Sequence, residues 1–508
     1  MTQREIAIEY LQDGMTLLKK HGLFGSNKNI HTFAIDHTLT TLKKSDDASE
    51  IAAALQALYE AKRLITARAS VEGKRIVMGD WFMSLAVSLA LPRRNAVLTN
   101  FVSRELCRVG EDANHPFFSA SKTSFLKTVD EVCAAINDDS NEVVEILPRR
   151  VPVNKVPAIN PPAYEKLLSK LELACYKESS IAARHALARM EEVFSELFDS
   201  DDACERDGFI YDAVMSGGKR LRPLLVRLCA GFGETNDKED EIVDIMVIIE
   251  LMHSASLVHD DIVDRSPMRR SRATINAQKG DGYAAMCGFT MVASSLKLLT
   301  EIKNDDIPEV IAGIPKRMCE GEFLQFEIEN RPNEQSETEY YERIKRKTAA
   351  LIEGSCVCGA MAAGAPKSVL DALSKYGKAL GTLFQLRDDL LDCEQQPTDG
   401  KPVSQDIERG VYSLPVIYAR DVSKDDAKLQ TILQKHIKSS VDISYLLETC
   451  RTTGGLEYTK DAIKCEALKA EAALATLPQG AWTEALGLLL TSLAGSVTDP
   501  QKIVRMIP

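Results

Sequence analysis

The segment ASLVHDDIVD, residues 255–264, places three aspartates in an apolar run that has the composition of a buried helix. Asp260 and Asp264 are four residues apart, so on a helix they share one face, with Asp261 beside them. Burying carboxylates among Ala, Leu, Val and Ile is costly unless something neutralises their charge. The segment therefore predicts a helix with an acidic face that needs cations.

The segment FQLRDDLLD, residues 384–392, repeats this geometry far downstream. Asp388 and Asp392 share a helix face, and Asp389 lies next to Asp388. Hard oxygen ligands with few other donors suit Mg²⁺, which takes one or two carboxylates together with waters and substrate phosphates. A single DDxxD on a helix is most often a solvated acidic face. Two copies in apolar sequence favour shared Mg²⁺ ions instead.

Basic residues accompany both acidic segments. A glycine pair opens SGGKRLRP, residues 216–223, where the backbone can approach a ligand closely. The cationic residues of this and the later segments are Lys219, Arg220, Arg222, Arg269, Arg270, Lys347 and Lys401. Each alone is most simply a surface charge. Together they could cradle one diphosphate directly while the aspartates hold another through metal, which is the arrangement needed to bind two anionic substrates.

The rest of the chain has a helical pattern. Apolar residues recur at three- and four-residue spacing, as in residues 50–69, and no segment shows the alternation of a half-buried strand. With 508 residues the chain is too long for one ordinary core. We therefore expect an all-α protein with more than one domain.

The division between domains is predicted by a proline-rich segment. Five prolines lie within residues 148–162, where they exclude a continuous helix and indicate an extended linker. The sequence thus predicts a helical domain at residues 1–147, a linker at residues 148–162 and a larger helical domain at residues 163–508.

Charge and termini limit the classes of partner. The formal net charge of -12 argues against broad binding of nucleic acid or anionic membranes. The N-terminus has early acids and no long apolar core, so it does not read as a signal peptide, and we find no transmembrane segment. The cysteines form no CxxC pair, so reduced thiols in a cytoplasmic protein are expected.

The ordered motifs GGKRLRP, HxxxxxHDDIVD, RR, KT, FQLRDDLLD and GKPxxxD resemble those of the trans-type polyprenyl diphosphate synthases, over about residues 165–500. The resemblance implies an all-helical, isoprenoid-synthase-type bundle around a deep central cavity. It also implies a Mg²⁺-dependent reaction that couples isopentenyl diphosphate head to tail to an allylic diphosphate. A homodimer whose product is handed to a membrane enzyme is expected as well.

The resemblance assigns roles position by position. Mg²⁺ ions that grip the allylic diphosphate would be ligated by Asp260, Asp264 and Asp388, assisted by Asp261, Asp389 and Asp392. The same diphosphate would contact Arg269, Lys347 and Lys401. Isopentenyl diphosphate would be held by Lys219, Arg222, His253 and Arg270. Phe384 and Gln385 would line the reaction centre, where Gln385 and Thr348 stabilise developing charge.

Product length is expected to depend on the helix that carries the first aspartates. The growing chain would run from them toward the N-terminal end of that helix, past Ser256, Ala255 and Met252. Short-chain members of the family place bulky aromatics at these depths. The small side chains here therefore predict a medium-to-long product, with heptaprenyl diphosphate as the best single choice and a quinone side chain as a plausible destination.

The sequence departs from the family at a few positions. RRSRAT replaces the usual RRGxPT, GKPVSQD has Ser404 for glycine, and CGFTM has Phe289 where AGDYL has aspartate. None removes a ligand, so the departures bear on rate and loop geometry. A terpene cyclase of related fold and a catalytically silent partner of an active synthase remain as alternatives.

The N-terminal domain shows a weaker resemblance. KRIVMGDWFMSLAVSLA, residues 74–90, is similar to the AGDYL segment of the same fold and to the small, non-catalytic subunit of two-component heptaprenyl diphosphate synthases. This similarity suggests a fused regulatory half. A helical domain of unrelated origin is an equal alternative.

Overall fold

The computed structural model describes residues 3–20, 35, 38, 39, 48–65, 73–90, 129, 177–198, 205–216, 218–270, 272–394 and 405–495. Most of these residues lie in helices, and the strands among them are one antiparallel pair in which Met268 faces Ala273. The prediction of an all-α fold is therefore confirmed. The proposed linker at residues 148–162 lies outside the described residues.

Three long helices are described before residue 177. They are α1 (Gln3–Lys20), α2 (Ala48–Ile65) and α3 (Gly73–Ala90). α2 packs along α3, and α1 packs on α2. The alanines of α2 at positions 52, 53, 54 and 57 are fully buried, and their small side chains allow neighbouring helices to approach closely.

The remaining elements form the main bundle. Its first part comprises α4 (Lys177–Phe198), α5 (Glu205–Met215), α6 (Leu221–Ala230), α7 (Glu239–Val263), β1 (Met268–Arg269), β2 (Arg272–Ala273), α8 (Ile275–Lys279), α9 (Asp281–Glu301) and α10 (Asp306–Ile328). Its second part comprises α11 (Glu337–Ile344), a π-helical segment (Lys345–Ala349), α12 (Ala350–Ala362), α13 (Lys367–Glu394), α14 (Gln405–Glu408), α15 (Leu414–Val422), α16 (Ala427–Leu433), α17 (Ser440–Thr452), α18 (Gly455–Leu474) and α19 (Ala481–Ala494).

α7 lies in the centre of this bundle and determines where the first acidic segment is placed. It packs against α4, α6 and α9, and its apolar residues are buried around the whole circumference. Acidic residues fill its first turn, where the helix dipole favours them. Asp260 and Asp261 lie in its last turn and Asp264 is its C-cap, where the same dipole disfavours negative charge. Nearby cations must therefore stabilise this end.

α13 has the same polarity. Its aspartates lie in the last two turns of Lys367–Glu394, again at the end where the backbone carbonyls carry partial negative charge. α13 packs against α12, α18 and the π-helical segment. The fold thus uses two helix C-termini to display acidic side chains.

Two core helices, α7 and α9, also have the length and composition of membrane-spanning helices, which the sequence reading had not identified. In α7, 83% of the most apolar window is buried inside the protein, and in α9 the share is 72%. Burial of that extent is typical of core helices in a bundle.

Candidate active site

The first group of aspartates is paired with cations from distant parts of the chain. Oδ1 of Asp261 accepts a 2.8 Å hydrogen bond from Nε of Arg269. Asp264 forms an ion pair with Arg409, which directly follows α14. Burial raises the pKa of Asp260 to about 7, with a further upward contribution from Glu322 and Asp264 that Lys347 opposes. The end of α7 is therefore electrostatically unsatisfied without additional positive charge.

The second acidic group, at the end of α13, also contains carboxyl groups with raised pKa values. Burial and the neighbouring Asp392 raise the pKa of Asp388 to about 6. Burial also raises the pKa of Asp389 to about 6, although its carboxylate accepts hydrogen bonds from Tyr340 Oη at 2.6 Å and Gln385 Nε2 at 2.8 Å. Asp389 is thus hydrogen-bonded within the protein, whereas the pKa of Asp388 is shifted mainly by its burial and by Asp392 on the same helix.

The π-helical segment Lys345–Ala349 brings Lys347 and Thr348 to the acidic ends. Two glycines allow it to pass: a Cβ on Gly321 of α10 would lie 2.7 Å from the backbone nitrogen of Lys347, and one on Gly381 of α13 would lie 2.5 Å from Cα of Ala349. π-Helical turns are rare and concentrate at functional sites. The irregular backbone is therefore a local feature that positions site residues.

Lys347 is paired with two residues of α10. Its Nζ lies 2.5 Å from Oε2 of Glu322 and 3.4 Å from Oε1 of Gln325. Burial alone would lower the pKa of this ammonium, but the carboxylates of Glu322 and Asp260 outweigh that effect and raise it. Lys347 therefore stays charged beside the first acidic group.

A hydrogen-bonded chain extends from Thr348 to the second acidic group. Oγ1 of Thr348 donates to Oε1 of Gln385 at 2.8 Å, and Nε2 of Gln385 donates to Asp389. These residues line a polar cavity. The other residues around it are Gln325, Arg343, Ile344, Lys347, Asp406, Val411, Tyr412 and Ser413. Phe384, which precedes Gln385 in the chain, is half-buried against the core.

Two basic residues that follow the glycine pair form a separate cationic cluster with an arginine from the segment after α7, and we define this cluster as Lys219, Arg222 and Arg270. Gly218 makes room for it, because a Cβ there would lie 3.2 Å from Nη2 of Arg270. Arg270 itself has a left-handed backbone with φ of 49°, which costs energy for a side chain other than glycine. The sequence predicted that a ligand could approach the backbone closely at the glycine pair. At Gly218 the group that lies close is the side chain of Arg270.

His253 is held by the cationic cluster. Its Nε2 lies 3.0 Å from Nη1 of Arg222 and accepts its hydrogen bond. Burial lowers the pKa of His253 well below 6.5, and the positive charges of Arg222 and Arg270 lower it further. Histidine at this position is therefore neutral. Lys219 and Arg222 both lower the pKa of Asp388, so the cationic cluster faces the second acidic group.

Most residues that the sequence singled out are brought together, and some that matter were missed. Lys401 lies outside the described residues. Met252 and Ala255 are buried on α7, and Ser256 is half-buried with its Oγ donating to the backbone oxygen of His253 at 2.8 Å. The missed residues are Glu322, Gln325, Tyr340 and Arg409, and Asp406, the last residue of the GKPxxxD motif, had been given no role. Glu322 and Gln325 carried a detectable signal, since they are three residues apart in EGEFLQ and so share a face of a helix.

Several known proteins are similar to part of this chain. The polyprenyl synthetase family model matches residues 208–450. Component 2 of the heptaprenyl diphosphate synthase of Geobacillus stearothermophilus is 40% identical over 209 residues, which cover 41% of this chain and 64% of that protein, just under two thirds. The octaprenyl diphosphate synthase of Escherichia coli (strain K12) is 34% identical over 283 residues, covering 54% of this chain and 85% of that enzyme. The chain belongs to the polyprenyl synthetase family.

The fold of this polyprenyl synthetase is shared with solved structures. The polyprenyl synthase of Caulobacter crescentus, crystallised with calcium and isoprenyl diphosphate, superposes with a TM-score of 0.58 at 29% identity. The superposition covers 64% of this chain and 98% of that one. Because its relatives are prenyl diphosphate synthases, this polyprenyl synthetase is an enzyme of the prenyltransferase class.

The raised pKa of Asp260 predicts how stability depends on pH in the metal-free protein. The folded-state pKa of about 7 lies above the ordinary 3.8, so the folded protein holds this proton more tightly than the unfolded chain. The resulting stability is fully present below pH 3.8 and is lost as the pH rises through about 7. Asp260→Asn should therefore raise the unfolding temperature at pH 8, by about 2–4 °C.

Thermal unfolding in EDTA at pH 6 and pH 8 measures this effect. The wild-type protein should lose more stability between the two pH values than Asp260→Asn does. Equal losses of stability in both proteins would show that ionisation of Asp260 does not destabilise the fold.

Proposed function

We propose that this polyprenyl synthetase extends an allylic diphosphate by head-to-tail addition of isopentenyl diphosphate. The proposal is supported by two acidic helix ends together with a separate cationic cluster, which lies near the second of them. A single phosphorylated substrate needs only one of these. Two diphosphate substrates need both if one of them loses its diphosphate as a leaving group, because that substrate and the attacking one must be bound side by side.

We propose Mg²⁺ as the cofactor, and the donor set fits it. The described residues contain no group of three or more His, Cys, Asp or Glu side chains arranged to hold a metal alone. Pairs of carboxylates that must share each ion with phosphate oxygens and water are what Mg²⁺ prefers. The ligands would be Asp260, Asp261, Asp264, Asp388, Asp389 and Asp392. When bound, the ion would neutralise charge on the diphosphate leaving group.

The protein's own residues would bind and orient the allylic substrate. Lys347 and Arg269 lie next to the first acidic group and can contact the same diphosphate, with Lys401 as a further proposed contact. Breaking the allylic carbon–oxygen bond leaves a carbocation and a diphosphate anion, so fixed positive charge near the anion lowers the barrier. The oxygens of Thr348 and Gln385, beside Phe384, can stabilise the developing positive charge.

The second substrate would be bound by the cationic cluster together with neutral His253. Its double bond attacks the carbocation to form the new carbon–carbon bond, and the proton lost from the adjacent carbon passes to the released diphosphate. The apolar residues of α7 exclude water, which would otherwise quench the cation.

The cationic cluster gives a direct prediction about substrate preference. Lys219→Ala and Arg270→Ala should each raise the KM for isopentenyl diphosphate roughly tenfold to a hundredfold, because a charge-assisted phosphate contact is worth about 1.5–3 kcal/mol. The KM for the allylic substrate should change far less. Steady-state kinetics with each substrate varied in turn measures the two KM values separately.

The exposed Arg272 of β2 offers a matched control for this experiment, since it is an arginine near the site but outside the cluster. Arg272→Ala should leave both KM values within about twofold. Equal weakening of both substrates in the cluster variants would mean that the two diphosphates are not bound separately.

We also propose a medium-to-long product, with heptaprenyl diphosphate the best single choice and a quinone side chain its plausible use. The buried, small Ala255 and the compressible Met252 leave the helix beyond the aspartates free of bulky aromatics. We place the enzyme in the cytoplasm, from where the product can pass to a membrane enzyme.

The N-terminal residues 1–147 are proposed to be a separate, regulatory domain joined by the linker at 148–162 to the catalytic domain at 163–508. Two features support this: one relative is named as component 2 of its enzyme, and the family match begins at residue 208. The chain would then combine both components, and we propose that it works as a homodimer.

Two other functions are less well supported. A terpene cyclase would also ionise a diphosphate but has no use for the cationic cluster. A silent regulatory partner would not need two acidic helix ends of raised pKa.

A direct assay separates all three functions. Purified protein is incubated with Mg²⁺, isopentenyl diphosphate and farnesyl diphosphate, and the products are weighed by mass spectrometry. A series of linear prenyl diphosphates is expected. A cyclic hydrocarbon would support the cyclase, and no product would support the silent partner.

A further inference from the structure

An acidic residue from the N-terminal helices contacts the acidic end of α7. Oδ2 of Asp80, on α3, lies 2.7 Å from Nδ1 of His259, the residue directly before Asp260. The other ring nitrogen of His259 lies 3.2 Å from the backbone oxygen of Ala285 on α9. The residue His259 is 4% exposed. Its ring is therefore held at both ends by oxygen acceptors that come from two different helices.

α9 shapes the slot in which this ring lies but supplies no carboxylate to it. A Cβ on Gly288 would lie 2.1 Å from Nε2 of His259, and the ring of Phe289 packs with its centroid 4.8 Å away. The two helices carry similar sequences here, VMGDWFM at 77–83 and MCGFTMV at 286–292. After the shared glycine, α3 has an aspartate where α9 has Phe289. The carboxylate that reaches His259 is thus provided by α3.

α3 packs against the main bundle through buried side chains, and this packing places the carboxylate. It packs along α10, with Trp81 and Phe82 almost fully buried, and Nζ of Lys316 lies 5.6 Å from the centroid of the Trp81 ring. A second link joins the N-terminal helices to α10 at Lys20 and Glu327, whose charged atoms are 2.5 Å apart. Asp80 therefore projects from an apolar interface toward the site.

We propose that Asp80 is a positioning residue for catalysis: it fixes the His259 ring and thereby the orientation of the aspartates at the end of α7. The inference rests on the proposed function, because positioning matters only if these aspartates bind the diphosphate. Like charges crowd this end of α7, so they would separate unless the helix end is held. A displacement of about 1 Å at a reacting centre can cost roughly a hundredfold in rate.

The test compares full-length Asp80→Ala, Asp80→Asn and Asp80→Glu with the wild type. We expect Asp80→Ala and Asp80→Asn to lower kcat roughly tenfold to a hundredfold while the KM for isopentenyl diphosphate stays within about twofold. Asp80→Glu should recover part of the loss, because it keeps the carboxylate. In a His259→Phe background, Asp80→Ala should have no further effect, since the residue acts through the ring.

Lys20→Ala is the matched control, because it removes another charged link between the same two parts of the protein. It should leave kcat unchanged. If Lys20→Ala lowers kcat as much as Asp80→Ala does, or if Asp80→Ala is as harmful in the His259→Phe background as in the wild type, the effect is docking and the proposal is wrong. Asp80→Asn is nearly isosteric and serves if the alanine variant does not fold.

A binding measurement separates this inference from the proposed reaction. Calorimetric titration of inorganic pyrophosphate in the presence of Mg²⁺ needs no prenyl transfer. Asp80→Ala should weaken that binding about tenfold, and Lys20→Ala should not. If the wild-type protein makes no prenyl product, but Asp80→Ala still weakens pyrophosphate binding and Lys20→Ala does not, the proposed reaction is refuted and the positioning role is kept. Unchanged pyrophosphate affinity in an active enzyme would refute the positioning role alone.

Discussion

Asp260→Ala and Asp388→Ala are each expected to lower kcat by at least about a hundredfold at saturating Mg²⁺, because loss of one group that stabilises transition-state charge typically costs about 10²–10³ in rate. The reason lies in the state of both carboxylates. Burial raises the pKa of Asp260 to about 7 and that of Asp388 to about 6, so each costs energy in the metal-free protein. That cost is recovered only when cations bind.

The fold should survive both changes, since removing a crowded carboxylate relieves repulsion. Circular dichroism and the unfolding temperature check this point. Asp240→Ala is the matched control, because Asp240 is an exposed aspartate in the first turn of the same helix α7, far from the site. It should retain full turnover. Near-normal activity of Asp260→Ala or Asp388→Ala would exclude that residue from the metal site.

Ala255→Tyr is expected to shift the product from a long chain to farnesyl or geranylgeranyl diphosphate. Ala255 is 3% exposed and precedes Asp260 by five residues on α7. At a rise of about 1.5 Å per residue it lies about 7.5 Å further along the helix. A tyrosine there would block a chain that grows along α7. The product series by mass spectrometry measures the shift.

Two further variants make this result interpretable. Ala255→Ser adds little volume and should keep the long product. Tyrosine can overpack a buried position at a cost of about 1–3 kcal/mol, so the unfolding temperature must be measured. Ser256→Phe tests the same blockage from a half-buried position that has more room. An unchanged long product in both bulky variants would mean that this face of α7 does not meet the growing chain.

Comparing the sequence with the structure shows which features are local. Helical periodicity and the four-residue spacing of Asp260 and Asp264 depend on residues close together in the chain, so they could be read directly. The glycine pair was expected to let a ligand approach the backbone, and at Gly218 the group that comes close in the structure is the side chain of Arg270. Local spacing predicts which residues share a face and leaves open what that face contacts.

Lys347 shows where sequence reasoning was incomplete. The motif identified the lysine, but its position depends on a π-helical segment that passes between Gly321 and Gly381. Its partner Glu322 belongs to another helix. Neither feature follows from the local pattern, because π-helical turns are rare and this one depends on room that two glycines of other helices provide.

The sequence by itself determined the helices, the acidic faces and the family, because these depend on local spacing and on short motifs. Only the tertiary structure decided which charges meet. Arg409 pairs with Asp264 from 145 residues away, and Asp80 reaches His259 from 179 residues away. Such pairs form because buried charge must be compensated, and the packing of helices, which no local pattern contains, determines which residue is near enough to do so.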